Sequence, residues 1–283
     1  MQADQYCRDK IAKPGSSYYY SLLYTPKNKV ADVTAIYAYQ EEITQSVLHC
    51  GDREIAQTKL NWWAEELQRC FNQKPQHPVS HALQAAIRNY MLPIEYFEEL
   101  LDGARMRLAH DIYNSYDQMK LDCYRLGGAP SLLVTEILGY NDRSTQRFSE
   151  DLGIALQLTD NIHRLRMNTL QGNICIPLDE MQAHNIQPDD VLKKETPEKM
   201  KNLLTTQGQR ARAHFKQAAS HLLASEQRSQ LPRIILGNLQ IALLDTIESD
   251  GFRLTEHQVD LTPLRKFWIA WRTQLNPGHR LFQ

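Results

Sequence analysis

Cysteine is scarce in this chain and scattered where it occurs. Cys7, Cys50, Cys70, Cys123 and Cys175 are the only five in 283 residues, and no two stand in a C-x-x-C pair. An odd, dispersed set excludes a disulfide framework and a zinc knuckle, and it reads as free thiols in a reducing, cytoplasmic compartment. No apolar run reaches the length of about 18 residues that a membrane span needs. Neither charge sign dominates: 32 Lys and Arg face 33 Asp and Glu, a net charge of −1. So balanced a chain offers no strong field to nucleic acid, which is excluded as a partner. Met1 to Lys10 is polar and carries Asp4 and Asp9, so it reads as neither a signal nor a transit peptide. Internal repeats, low-complexity tracts and linker-like composition shifts are all missing, which predicts one domain over residues 1–283. Alternating strand patterns are almost missing too, the exception being Phe252–Val259.

What is present is helical periodicity. Val30, Val33, Ile36, Tyr37 and Ile43 recur at spacings of three, four and seven, as one helix face does. Leu60, Trp63, Leu67 and Phe71 trace a second face, which Pro75 and Pro78 end before Val79–Tyr90 begins another. Pro93 opens a further helix with Tyr96, Phe97, Leu100 and Leu101. Gly127, Gly128 and Pro130 interrupt a long pattern and predict a kinked helix. Gly139 fits a C-cap ahead of a helix from Ser144 to Thr169. The polar stretch 182–201, with Pro188 and Pro197, predicts a loop with a short helix. Helices near Lys199–Ser225 and Leu231–Ser249 complete an all-α chain of about ten helices. His77 and His81 flank Pro78 at a predicted helix start, and a capping role fits them better than metal ligation. Cys123 and Cys175 read as small buried apolar residues.

Six fragments then occur in a telling order. Ser17-Tyr18-Tyr19-Tyr20 precedes Pro26. Ala35-Ile36-Tyr37-Ala38-Tyr39 follows, then Leu60-Asn61-Trp62-Trp63 with Glu66-Leu67. Asp122-Cys123-Tyr124-Arg125-Leu126-Gly127-Gly128 marks the broken helix. Ala155 to Thr159 leads through Gly172 to Ile176-Pro177-Leu178, and Ile247-Glu248 with Gly251-Phe252 comes late. Together these resemble the squalene/phytoene synthase family over about Ser16–Arg272. The resemblance implies a single-domain isoprenoid-synthase helical bundle around a central apolar cavity. It also implies a reaction in which Asp clusters on two facing helices hold Mg²⁺ against a prenyl diphosphate. The ions neutralise the leaving diphosphate and act as Lewis acids.

The acids themselves are replaced. The family's first D-D-x-x-D cluster falls on Thr44, Gln45 and Leu48, and the second on Arg164 and Asn168, with Met167 where a Glu belongs. A further Asp falls on Arg107, after Gly103. Magnesium demands hard oxygen ligands, so amides and hydroxyls are poor substitutes and Arg is none. No metal is therefore expected, and no cofactor. Two compensations remain open. Arg105, Arg107, His163, Arg164 and Arg166 form a basic group that suits metal-free anion binding by guanidinium forks. Against this, Asp160 and Arg164 stand i, i+4 and suit a plain ion pair. Alternatively, Glu41, Glu42 and Asp160, one turn N-terminal to the lost acids, compose a shifted metal cluster that would need Mg²⁺. By the resemblance, substrate contacts fall on Ser17, Tyr20, Tyr37, Arg105, Arg107, Tyr124, Gln157 and Arg164.

Three functions stay open on these grounds: an isoprenoid-diphosphate-binding pseudoenzyme, an active prenyltransferase using the shifted acids, and an assembly-type factor with a protein partner. The family includes a degenerate branch with a mitochondrial relative that serves respiratory complex I assembly. The basic, aromatic segment Pro263–Arg272 fits peripheral membrane or partner contact, and equally a packed C-terminal helix with snorkelling basic ends.

Overall fold

The computed structural model describes residues 3–48, 52–193, 195–254, 257–278 and 281–282. Cys50 and the side chain of Leu48 lie outside the described residues. Fourteen α-helices form among them. They are α1 (Ala3–Ile11), α2 (Ser17–Leu22), α3 (Val30–Leu48), α4 (Arg53–Phe71), α5 (Pro78–Tyr90), α6 (Ile94–Ala109) and α7 (Tyr116–Cys123). Then come α8 (Ala129–Leu138), α9 (Ser144–His163), α10 (Leu165–Leu170), α11 (Leu178–Ala183), α12 (Glu198–His221), α13 (Leu231–Ser249) and α14 (Pro263–Leu275). The one β pairing among the described residues is an isolated bridge between Ile112 and Ile174.

Local chemistry sets many of these boundaries. Ser16 accepts the Tyr19 N–H at the start of α2, and Asp52 accepts those of Glu54 and Ile55 at the start of α4. His77 caps α5 through Nδ1, which accepts from Val79, while Pro78 occupies the first turn, where its missing N–H costs nothing. Gly139 ends α8 at φ +79°, a conformation open to glycine. Between α7 and α8 the chain makes one π turn, Tyr124–Gly128. There Gly127 lies so close to Gly153 of α9 that a Cβ on either would overlap the other's backbone.

Two large apolar clusters carry the fold. The first joins α1, α3, α4, α5, α6 and α8 around Ile36, Tyr39, Leu60, Trp63 and Phe97. The second joins the C-terminal half of α9 to α11, α12 and α13 around Leu158, Ile162, Leu203, Ile235 and Leu244. Burying such sets is the main driving force of the bundle.

Three differences from the pattern matter. The predicted helix Ser144–Thr169 is broken at Arg164, which leaves the helical region at φ −98°, ψ 11°, so α10 is a separate helix. The described part of Phe252–Val259 is turn and coil: Phe252 takes φ +54°, and Phe252, Leu254 and Val259 are buried one by one against the second cluster. The polar segment Ala3–Ile11, whose pattern singled out nothing, is α1, and it buries Cys7 and Ile11 against α3 and α5.

Candidate ligand cavity between α3 and α9

A cavity of about 320 Å³ lies between α3 and α9, with walls from α2, α13 and α14. Each long helix presents one face to it. Tyr37, Gln40, Glu41 and Thr44 come from α3, Gln157, Asp160 and Arg164 from α9, and Arg233, Leu236, Gln240 and Leu243 from α13. These are spacings of three, four and seven, the helical repeat. The wall is mixed: Tyr18, Tyr37, Leu156, Leu236 and Leu243 share it with glutamines, serines and charged groups.

The cavity has a buried end and an open end. At the open end Arg164 pairs with Asp160 at 2.9 Å, and both are partly exposed. Lys266 of α14 pairs with Asp260 at 3.0 Å and donates to the Gly15 carbonyl. His163 contacts the Val259 carbonyl through Nε2 at 2.8 Å. Further in, half-buried Tyr18 packs on buried Tyr37 with ring centroids 4.5 Å apart, and burial pushes the Tyr18 phenol well above its ordinary range, so it stays neutral. Behind Tyr37 stands Arg233, only 1% exposed and the largest fully buried side chain among the described residues. Its guanidinium donates to Tyr37 Oη at 2.9 Å and to Ser131 Oγ, while Nε has no partner among the described residues.

The expected site residues are divided by this geometry. Ser17, Tyr37, Thr44, Gln157, Asp160, Glu41 and Arg164 all line the cavity. Glu42, next to Glu41, is a third of a helical turn away and faces outward, bonded to Lys10 at 2.7 Å and to the Tyr6 hydroxyl. The three-acid shifted cluster is therefore not assembled. Among the described residues no group of three His, Cys, Asp or Glu side chains is placed to hold a metal ion. Gln45 bonds Lys10 and Glu41 and borders an outer groove with Trp62 and His77. Asn168 is carried off the cavity by the break at Arg164 and is buried against Cys175. Met167 is 46% exposed and fills nothing.

Arg107 reaches the cavity wall but is already engaged. Its Nε and Nη2 grip both oxygens of buried Asp122 at 2.8–3.2 Å, and Nη2 also donates to Asn161 at 2.9 Å. Burial alone would lower its pKa; the Asp122 charge, together with Cys175, Tyr113 and the hydrogen bonds to Asp122, outweighs that and raises it. Arg105 sits apart from the cavity lining, on the Asp102 side of α6. Tyr20 belongs to the second apolar cluster, and Tyr124 packs on Gly128; neither lines the cavity. Arg166 is likewise absent from the wall. The residue that sequence reasoning missed is Arg233. The available signal was a lone charge within the apolar run Leu231 to Leu236.

Thr44, Gln45, Arg164 and Asn168 supply no carboxylate, one of them is a cation, and only two of the four line the cavity. They do not fit magnesium.

Comparison with known proteins agrees with the fold and the motif order. Residues 11–265 match the family model for squalene/phytoene synthase, and the chain belongs to that family. It is 27% identical to the phytoene synthase of Arthrospira platensis over 97% of this chain and 94% of that one. It is 26% identical to a chloroplastic phytoene synthase of an Oncidium hybrid over 83% of this chain, which spans 58% of that longer protein. Among solved structures it superposes on a dehydrosqualene synthase with a TM-score of 0.85, at 18% identity over 96% of this chain and 95% of that one. A squalene synthase from Alicyclobacillus acidocaldarius gives 0.74, at 21% identity over 89% and 95%. No helix among the described residues is long and apolar enough to cross a membrane.

Proposed function

We propose that this chain is a single-domain pseudoenzyme of the squalene/phytoene synthase family that binds an isoprenoid diphosphate, or a related anionic lipid, without metal-dependent condensation. The observation that carries this reading is the cavity's chemistry. Basic side chains and amides stand at the family's acid positions, and of the cavity's own carboxylates Asp160 is paired with Arg164 and Asp260 with Lys266, so the site suits an anion better than Mg²⁺. Size supports the same reading. Ligand pockets span roughly 300–1,000 Å³, and a cavity of 320 Å³ suits one ligand, whereas condensation joins two. The buried, unpaired Cys7, Cys70, Cys123 and Cys175 suit work in a reducing cytoplasm.

A second reading rests on α14. Leu264, Phe267, Trp268, Trp271 and Leu275 are all exposed along one stripe, while Ala270 and Thr273 face the bundle. An exposed apolar stripe of this kind suits a protein partner, as for an assembly-type factor. One titration separates the readings. Farnesyl diphosphate is added to the protein with Mg²⁺ and then with EDTA, and released diphosphate is assayed in the same samples. Binding that survives EDTA without release is the expected result. Turnover that needs Mg²⁺ overturns the pseudoenzyme, and no binding at all favours the partner on α14.

A further inference from the structure

We propose that Arg233 is the receptor for the ligand's phosphate or diphosphate group, so that the ligand enters the cavity anion-first. The proposal rests on the cavity being a metal-free anion site and specifies where in it the anion sits.

A guanidinium carries five N–H groups, and those of Arg233 make only two bonds, to Tyr37 and Ser131. The ion pairs formed among the described residues leave it out, whereas they include its cavity neighbours Arg164, Lys266 and Arg107. A charge that is 1% exposed, with an idle Nε and no carboxylate, is an unfavourable thing to fold around. Buried cations are held by opposite charge, and the cavity that Arg233 lines is where that charge can enter. Its two neighbours are set for the task. Ser131 donates its own proton to the Ser149 carbonyl at 2.6 Å, which turns a lone pair toward Arg233 and fixes the fork. Tyr37 accepts from Arg233, and its hydroxyl proton is given to no acceptor among the described residues. It is therefore available to a phosphate oxygen.

Depth gives the orientation. Tyr37 lies seven residues before Thr44 on α3, about 10 Å along the helix axis. Thr44 and Arg164 mark the position of the family's metal clusters at the partly exposed end. A hydrocarbon running inward from there would end against an uncompensated guanidinium, an arrangement that burial of a lone charge forbids. The reverse orientation satisfies both groups: oxyanion on Arg233, chain toward the open end past Leu243 and Ile11.

The probe is inorganic pyrophosphate in EDTA, followed by dimethylallyl, geranyl and farnesyl diphosphates, each titrated by calorimetry. Pyrophosphate is expected to bind wild type, with similar affinity along the prenyl series because the chain points outward. Arg233→Met should weaken pyrophosphate about 30-fold or more, as truncating a buried charged contact does. The same variant should melt no lower than wild type, since it removes a buried charge and keeps the volume. If Arg233→Met fails to fold, Tyr37→Phe keeps the ring and decides the matter by weakening pyrophosphate. Full pyrophosphate affinity in folded Arg233→Met, or in Tyr37→Phe when Arg233→Met is lost, overturns the proposal. So does affinity that climbs with each added isoprene unit. In either case, farnesyl diphosphate binding in EDTA leaves the pseudoenzyme reading standing. Failure of wild type to bind both farnesyl diphosphate and pyrophosphate overturns the two together.

Discussion

Replacing Asp122 with Asn tests the buried pair that fastens α6 to α7. Asp122 is fully buried, and Arg107 holds it with both arms of its fork while a third bond runs to Asn161 of α9. Asn is isosteric with Asp, so packing is retained and only the charge is lost. Arg107 is then a buried cation with neutral partners, and breaking such a pair from one side costs about 3–5 kcal/mol. At about 2–4 °C per kcal/mol for chains near this size, the midpoint should fall by about 6–20 °C. Urea titration followed by circular dichroism measures the free energy, and a thermal melt measures the midpoint. The double variant Arg107→Met/Asp122→Leu removes both charges, keeps the volume, and should return to within about 1 kcal/mol of wild type. It should also bind pyrophosphate as wild type does, because the Arg107 fork is filled by protein. A loss below about 1 kcal/mol in Asp122→Asn, or a double variant as unstable as the single one, refutes the reasoning. Loss of pyrophosphate binding in the double variant would make Arg107 a ligand contact.

Two further perturbations reach other parts of the bundle. Glu66 is fully buried and accepts from Gln76 N–H at 2.7 Å, His77 N–H at 2.8 Å and Arg69 Nε at 2.7 Å. Burial alone would raise its pKa, and these donors overcome it, holding the carboxyl below the ordinary 4.5. Its stabilisation is thus complete above pH 4.5 and lost as pH falls through the lower folded value. Glu66→Gln should cost about 1.5–3 kcal/mol at pH 7 and flatten the fall in stability below pH 4.5, read by urea titrations from pH 7 to 3. An unchanged pH slope would contradict this account. Gly127→Ala places a Cβ on the Gly153 carbonyl and should destabilise by about 1–3 kcal/mol, measured the same way. A neutral result would mean that α9 can move away from the π turn.

Local chemistry was the legible part of this protein. Pro78 after His77, Gly139 and the Gly127-Gly128 pair each mark a boundary by their own backbone preferences, and the structure places a cap, a helix end and a π turn there. Missing carboxylates were legible too, since residue identity alone decides them. The phase of Glu41 against Glu42 was available in principle: Glu41 stands four residues after Tyr37 and three before Thr44, the helical repeat, whereas Glu42 stands five after and two before. Cavity polarity was not legible, because it depends on residues far apart in the chain. Arg233 meets Tyr37 across 196 positions, and nothing in either local pattern announces that meeting. The engagement of Arg107 was hidden for the same reason: its partner Asp122 lies on another helix. The break at Arg164 was hidden as well, since the residues from Ser144 to Thr169 keep a helical rhythm through it.

The break at Arg164 also bears on history. A helix that keeps its phase can recover a lost carboxylate by a single substitution, because the position still faces the same partners. Here position 168 has been turned into the apolar interior, where Asn168 contacts Cys175. An aspartate restored there would be a buried, unpaired charge and would be selected against before it could meet a metal ion. An Asn168→Asp substitution alone would therefore not bring a carboxylate to the cavity; the break at Arg164 would have to be removed with it.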